Sequence, residues 1–132
     1  MALQISYTDK EGDTHEQSYW VISDVHIVKK LNDNLITPIA AEDMPSWVKY
    51  AGYYGVIVLM GWRTKQNRDD GKGARFIHSV FPTGWEPPNN YHEVTTNEDY
   101  RFILDMESQD SLLTQAYNHL KTLDYFADAV EV

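Results

Sequence analysis

The 132 residues, of which 42% are hydrophobic, can build one core but are too few for two independent domains, so we predict a single domain over residues 1–132. Twenty acidic and eleven basic residues give a net charge of -9, which disfavours a nucleic-acid partner because phosphate would be repelled. The absence of cysteine excludes disulfides, thiolate metal ligands and a cysteine nucleophile.

The N-terminal part of the chain predicts two strands joined by a tight turn. Leu3, Ile5 and Tyr7 alternate with polar residues, which is the period of a strand with one buried face. This start has neither the basic residues nor the apolar run of a signal peptide. The run DKEGD then predicts a reversal, and apolar residues at odd positions, interrupted at Ser23, predict a strand from Tyr19 to Val28.

The middle of the chain predicts a central strand followed by a charged hairpin. Between Lys29 and Trp47 we expect turns and one short strand, Leu35–Ile36. Tyr53–Trp62 is apolar on both faces, rich in β-branched residues and too short to span a membrane, so it predicts a buried strand. The polar run Lys65–Gly73 predicts a mobile tip, and Ala74–Phe81 predicts the returning strand.

A long segment without periodicity, Pro82–Asp99, predicts a loop that either docks on its own domain or mediates assembly. Trp85 and Tyr91 lie in it, and rigid aromatic side chains in a polar loop are typical anchors of protein interfaces. We therefore take both as candidate interface residues.

The C-terminal part predicts a last strand, Tyr100–Met106, and one amphipathic helix at about residues 110–124. Asp110 and Ser111 are suited to its N-terminus. Together these elements predict an α+β fold, a mostly antiparallel β-sandwich or partly open barrel, covered at an open side or end by the helix. The apolar stripe of the helix consists of Leu112, Leu113, Ala116, Tyr117, Leu120 and Leu123.

No sequence motif predicts a catalytic, cofactor or metal site. The pairs His15-Glu16 and His92-Glu93 lack the second histidine of a zincin, and Gly71-Lys72-Gly73 lacks the other residues of a phosphate loop. The histidines have no spacing typical of metal ligands, so we expect ordinary surface or strand histidines. We predict a non-enzymatic protein without a cofactor, although an enzyme using carboxylates that converge in the fold stays open.

Three stretches of the chain together resemble small tail structural proteins of tailed bacteriophages: MALQISYTDKEGDTHEQSYWVI, YGVIVLMGWRTKQNRDDGKGARFI and LLTQAYNHLKTLDYFADAVEV. The resemblance implies a structural protein of the virion, made in the host cytoplasm and placed in the tail tip or baseplate. It implies other virion tail proteins as partners and a homo-oligomer within a symmetric assembly. Head decoration and tail completion are alternative roles, and the resemblance transfers no functional residue.

Two groups of residues, one basic and one aromatic, are candidate binding surfaces for a partner. Five of the eleven basic residues cluster around the hairpin tip, which predicts a patch that steers an acidic partner. These residues are Arg63, Lys65, Arg68, Lys72 and Arg75. The alternative is a carbohydrate-binding or receptor-binding module, in which Trp62, Trp85 and Tyr91 would form an aromatic platform for a sugar.

Overall fold

A computed structural model describes residues 2–29, 53–81, 91–105 and 107–132, and within these residues the chain forms one sheet with two α-helices. The predicted strand at Leu35–Ile36 lies outside the described residues. Strands β1 to β7 span Leu3–Thr8, Thr14–Lys29, Tyr53–Trp62, Phe76–Ser79, Glu93–Thr96, Arg101–Ile103 and Val130–Glu131, and helices α1 and α2 span Lys65–Asp69 and Leu112–Leu120.

The strands are arranged in the order β5-β4-β3-β2-β1-β7, with β6 paired to β3 beside this path. All neighbours are antiparallel except β4 and β5, which are parallel. The predicted α+β class with mostly antiparallel strands is therefore confirmed. The described strands form one open mixed sheet, and no second sheet of a sandwich is present among them.

Strand β3 is the central strand that the sequence predicts. It pairs with β2 along its whole length on one side, and with β6 and β4 in succession on the other. Ile57 and Leu59 are fully buried. A strand with neighbours on both edges and an apolar character on both faces stabilises a sheet because most of its backbone groups are paired away from water.

The turn between β1 and β2 is also confirmed. Gly12 has a φ of 90°, which a glycine adopts without steric cost. The carboxylate of Asp9 accepts hydrogen bonds from the backbone N–H groups of Glu11 and Asp13, both at 3.0 Å. This side chain therefore holds the reversal closed from inside.

Strand β2 differs from the prediction in its length and in the face that it buries. The register with β3 shifts between Ile22 and Asp24, so Ser23 forms a bulge. The sequence predicted that odd positions form the buried face. Before the bulge, however, the even positions Trp20 and Ile22 are buried, and after the bulge the odd position Val25 packs against the core. The interruption at Ser23 in the sequence pattern was thus the sign of a bulge.

The predicted tip at residues 65–73 contains helix α1. Thr64 caps this helix, because its hydroxyl accepts a hydrogen bond of 3.1 Å from the Asn67 N–H. Gly71 then reverses the chain with a φ of 79°. The Arg68 guanidinium lies 5.6 Å from the ring centre of Tyr19 and 5.7 Å from that of Trp62, so the tip packs against the sheet.

The segment predicted to be an aperiodic loop contains strand β5, which sequence periodicity missed. Four residues are too short to show an alternation, and β5 pairs with β4 in parallel, Phe76 lying opposite Glu93. Strands β4 and β6 are shorter than predicted, and a 3-10 helix, Glu98–Tyr100, replaces the start of the predicted last strand.

Helix α2 is shorter than the predicted range of 110–124 but begins where expected. Ser111 caps it, accepting a hydrogen bond of 3.1 Å from the Thr114 N–H. Most of the predicted stripe packs against the core, whereas Leu113 is 46% exposed. The Tyr117 hydroxyl accepts a hydrogen bond of 3.1 Å from the Ile22 N–H, so the helix satisfies a backbone group beside the bulge of β2.

Candidate functional site

A buried cluster of polar side chains joins β1, β4, β5 and the 3-10 helix before β6. His78 and Glu93 are each 4% exposed. Nε2 of His78 lies 3.1 Å from Oε1 of Glu93, and Nδ1 of His78 lies 2.7 Å from the Tyr100 hydroxyl. The Tyr7 hydroxyl donates a hydrogen bond to the same Glu93 oxygen. We call Tyr7, His78, Glu93 and Tyr100 the polar cluster.

The polar cluster exists because the sheet curls. Strands β2, β3 and β4 separate β1 from β5 in the sheet, yet Tyr7 on β1 reaches Glu93 on β5. The backbone N–H of Lys10 adds a hydrogen bond of 2.9 Å to the other Glu93 oxygen. Glu93 therefore ties the first hairpin to the edge strand β5 without any strand pairing between them.

The hydrogen bonds of the polar cluster are consistent with a neutral histidine and an ionised glutamate. Burial lowers the pKa of His78, although the Glu93 carboxylate partly opposes this effect. Burial by itself would raise the pKa of Glu93, but the bonds from His78, Tyr7 and the Lys10 amide lower it to about 2. With Nε2–H donating to Glu93, Nδ1 of His78 accepts a hydrogen bond from the Tyr100 hydroxyl.

A second group of titratable side chains lies beside the first hairpin turn. Nε2 of His15 is 3.0 Å from Oδ2 of Asp9, and Nε2 of His92 is 3.7 Å from the same oxygen. The hydrogen bond from His15, together with two backbone N–H groups, lowers the pKa of Asp9. Among the described residues no group of three or more histidine, aspartate or glutamate side chains could hold a metal ion.

A cleft of about 470 Å³ borders the polar cluster. Its lining includes Tyr7, Glu93 and Tyr100, with Phe126 and the 60% exposed Tyr125 on the C-terminal side. Burial raises the pKa of both cluster tyrosines, so neither hydroxyl is activated as a nucleophile. Because each ionisable group of the cluster is hydrogen-bonded to another, this arrangement is suited to holding elements together rather than to acid-base chemistry.

The structure places the described interface candidates at one end of the sheet. Residues 62–75 connect the end of β3 to the start of β4, and the backbone oxygen of Arg75 accepts a hydrogen bond of 2.8 Å from the His92 N–H, next to Tyr91. Tyr91 is half-buried. Trp85 lies outside the described residues. The candidates brought to this end are Arg63, Lys65, Arg68, Lys72, Arg75 and Tyr91.

Three of these cations line a small cleft of about 200 Å³: Arg63, Lys72 and Arg75. Within the described ranges none of the three forms an ion pair. Nε of Arg75 is buried and has no hydrogen-bond acceptor. The Trp62 indole N–H donates a hydrogen bond of 2.8 Å to the Lys72 oxygen and so fixes the wall of the cleft.

The polar cluster was not predicted from the sequence, which treated His78 as an ordinary strand residue. Tyr7 lies 86 positions before Glu93 in the chain, and the adjacent pair His92-Glu93 was considered only as part of a zincin motif. One local sign was available. A glutamate beside β-branched residues, as in the EVTT of β5, requires a partner if its strand is buried.

Comparison with protein families, with curated proteins and with solved structures found no match to this chain. None of the helices in the described part has the length and apolar character needed to cross a membrane. The strand order and the two helices of the described part define the class of the protein as an α+β domain with an open mixed sheet.

Proposed function

We propose that this protein is a non-enzymatic structural component of a tailed-phage virion that assembles in the tail tip or baseplate. The resemblance of three long stretches of the chain to small tail proteins supports this role. Its partners are other virion tail proteins and further copies of itself, arranged with the symmetry of the tail.

One observation carries the proposal: unpaired cations are concentrated at one end of a strongly acidic protein. Carboxylates are abundant in this chain, which has a net charge of -9, yet Arg63, Lys72 and Arg75 have no carboxylate partner in the described part. Cations placed together repel one another unless an anion joins them. An acidic protein surface in an assembly would supply that anion.

The polar cluster supports a structural role over a catalytic one. Its glutamate already accepts hydrogen bonds from Tyr7, His78 and the Lys10 backbone, so none of these groups is available to a substrate without breaking a buried contact. A buried network in which every member is satisfied fixes the relative positions of the strands.

The virion itself provides the test. Phage particles purified through two density gradients should contain this protein in a fixed ratio to the other tail proteins, measured by quantitative mass spectrometry. Antibody labelling in electron micrographs should mark the tail tip. A host cytoplasmic protein followed through the same gradients is the control for contamination. Depletion of the protein together with that control would refute a virion role, and labelling of the head or neck would favour decoration or tail completion.

The cleft beside the polar cluster favours a carbohydrate-binding module as the second candidate function. Tyr125 offers an exposed aromatic ring, and hydroxyl groups from Ser6 and Thr95 lie in the same lining. Sugars bind where an aromatic face adjoins polar groups. If this function is correct, oligosaccharides of the host surface should bind with an affinity that Tyr125→Ala weakens, whereas Tyr91→Ala, outside that lining, should leave it unchanged.

A further inference from the structure

The basic residues lie at the end of β3, and this end of the molecule differs in charge from the rest. Residues 63–75 contain five basic and two acidic side chains, a local excess of positive charge in a protein with a net charge of -9. Lys65 lies 3.8 Å from Asp69, so one of the two carboxylates is engaged locally. We call residues 63–75 the basic end.

A second surface carries the opposite charge. Residues 98–110 contain five acidic side chains and one basic side chain, and the acidic side chains in the described part of this segment belong to exposed residues. An open groove of about 700 Å³ runs along the segment and faces α2. Its lining includes Glu98, Asp99, Asp105 and Asp110. We call residues 98–110 the acidic end.

The strand β3 connects the two ends, with β6 of the acidic end beside its start and the basic end following its last residue. β6, inside the acidic end, pairs with the first residues of β3, where Tyr54 lies opposite Ile103. The basic end begins directly after Trp62, the last residue of β3. With a rise of about 3.3 Å per residue, the eight positions from Tyr54 to Trp62 place Ile103 roughly 26 Å from the start of the basic end. Glu98 and Asp99 lie nearer to it, because the Asn97 N–H before them bonds to the oxygen of Ser79 at the end of β4. The charge asymmetry therefore runs along the central strand.

Within the basic end, the cleft lined by Arg63, Lys72 and Arg75 is formed like a receptor for a carboxylate. Its volume of about 200 Å³ accommodates a side chain rather than a large ligand. Nε of Arg75 is buried behind this cleft and has no hydrogen-bond acceptor. The exposed Arg63 and Lys72 are the cations in the lining that a carboxylate of a partner can reach.

We infer that copies of this chain associate head to tail, the basic end of one copy binding the acidic end of the next. This inference rests on the proposed structural function and specifies its contact. The two surfaces differ, so the contact is heterologous and repeats as a ring or an open stack. The partner is a second copy because the chain itself carries a surface of the required charge at the required position.

The contact can form only if the attraction between the two ends exceeds the repulsion between two molecules that are both negatively charged, and this balance depends on the salt concentration. At about 0.1 M salt the Debye length is about 10 Å, which screens the repulsion between two negative molecules across most of their width. Charges that touch at the interface are screened less. Head-to-tail association should therefore occur at about 0.1 M salt and weaken at least about tenfold at 1 M salt, where the Debye length is about 3 Å.

Two charge-reversal variants test the inference. The basic-end variant is Arg63→Glu/Lys72→Glu, and the acidic-end variant is Asp99→Lys/Asp110→Lys; all four positions are exposed. Each variant keeps one native end. In sedimentation velocity at about 0.1 M salt, the unaltered chain should form species larger than the monomer. Each variant alone should be monomeric, and an equimolar mixture should associate again, because the native acidic end of one variant can bind the native basic end of the other.

The matched control is Asp124→Lys/Asp128→Lys, which changes the net charge as the acidic-end variant does, at exposed positions outside both ends. It should assemble like the unaltered chain, and circular dichroism should show that all variants are folded. Assembly of both reversal variants alone would overturn the head-to-tail contact while leaving the virion role intact. A chain that stays monomeric at about 0.1 M salt, or variants that fail to associate when mixed, would overturn it as well.

Discussion

Glu93 is the side chain on which the buried hydrogen bonds of the fold converge. It accepts bonds from His78 on β4 and from Tyr7 and the Lys10 backbone in the first hairpin, so its partners come from two separate parts of the chain. A buried carboxylate without partners would be costly, whereas here each donor is supplied by the protein. The residue therefore acts as a cross-link between the first hairpin and β5.

The pKa shifts of the polar cluster predict how stability depends on pH. Burial lowers the pKa of His78. Below about pH 6.5 this histidine is therefore protonated in the unfolded chain but still neutral in the folded chain, so the unfolding free energy decreases as the pH falls below that value. The pKa of Glu93 is lowered from 4.5 to about 2, so its contribution is complete above 4.5 and is lost as the pH falls towards 2.

The Glu93→Gln variant tests the lower part of this range. The unaltered chain should lose roughly 2 to 3 kcal/mol of unfolding free energy through Glu93 between the two pKa values, and the variant should not show that loss. Urea titrations at a series of pH values measure it. Glu16→Gln, at an exposed glutamate outside the polar cluster and outside both ends, is the control and should keep the slope of the unaltered chain. Equal slopes in all three proteins would contradict the assigned ionisation of Glu93.

At the scale of elements, helix α2 and strand β2 complement each other. The bulge at Ser23 interrupts the register of β2, and Tyr117 of the helix binds the backbone N–H of Ile22 beside it. Leu120 is fully buried on the same side of the helix. The helix thus contributes both apolar contacts and one hydrogen bond to the sheet that it covers.

A pair of leucine substitutions tests the orientation of α2. Leu120→Ala should lower the unfolding free energy by about 2 to 5 kcal/mol, because it removes buried methyl groups and leaves a cavity. Leu113→Ala, at a position 46% exposed, should cost less than about 1 kcal/mol. Thermal melts of the two variants measure the difference. Similar losses in both would show that the helix is rotated from the orientation described here.

The described part of the molecule has a single hydrophobic core. Trp20 joins the separate regions, since its ring lies 5.5 Å from that of Phe76 on β4 and 5.6 Å from that of Phe126 near the C-terminus. Leu120 and Tyr117 of the helix belong to the same cluster. A core shared by the first hairpin, the sheet and the helix couples their stabilities.

This shared core predicts one cooperative unfolding transition. Tryptophan fluorescence sums the four tryptophans of the chain, among which Trp20 reports on the buried core, and far-UV circular dichroism reports on the helix and strands together. The two signals should change at the same denaturant concentration and with the same slope. The Leu120→Ala variant should move both midpoints equally. Loss of the dichroism signal at lower denaturant than the fluorescence would show that α2 unfolds separately.

The sequence by itself determined those strands, turns and helix caps that depend only on residues close together in the chain. Strand β1, the turn at Gly12, the central strand β3 and the cap of α2 at Ser111 follow from neighbouring residues, because burial of one face and closure of a turn act over short distances. The same local reading predicted an α+β class, and the basic residues at 63–75 were visible as a cluster in the chain.

Only the tertiary structure decided which distant residues meet. The parallel pairing of β5 with β4 and the polar cluster depend on how distant segments pack, which brings Tyr7 and Glu93 together across 86 positions of sequence. The position of the acidic end relative to the basic end follows from the pairing of β6 with the start of β3. The periodicity of a sequence shows which face of a strand or helix is buried, whereas the residues that pack against that face are determined by the folding of the whole chain.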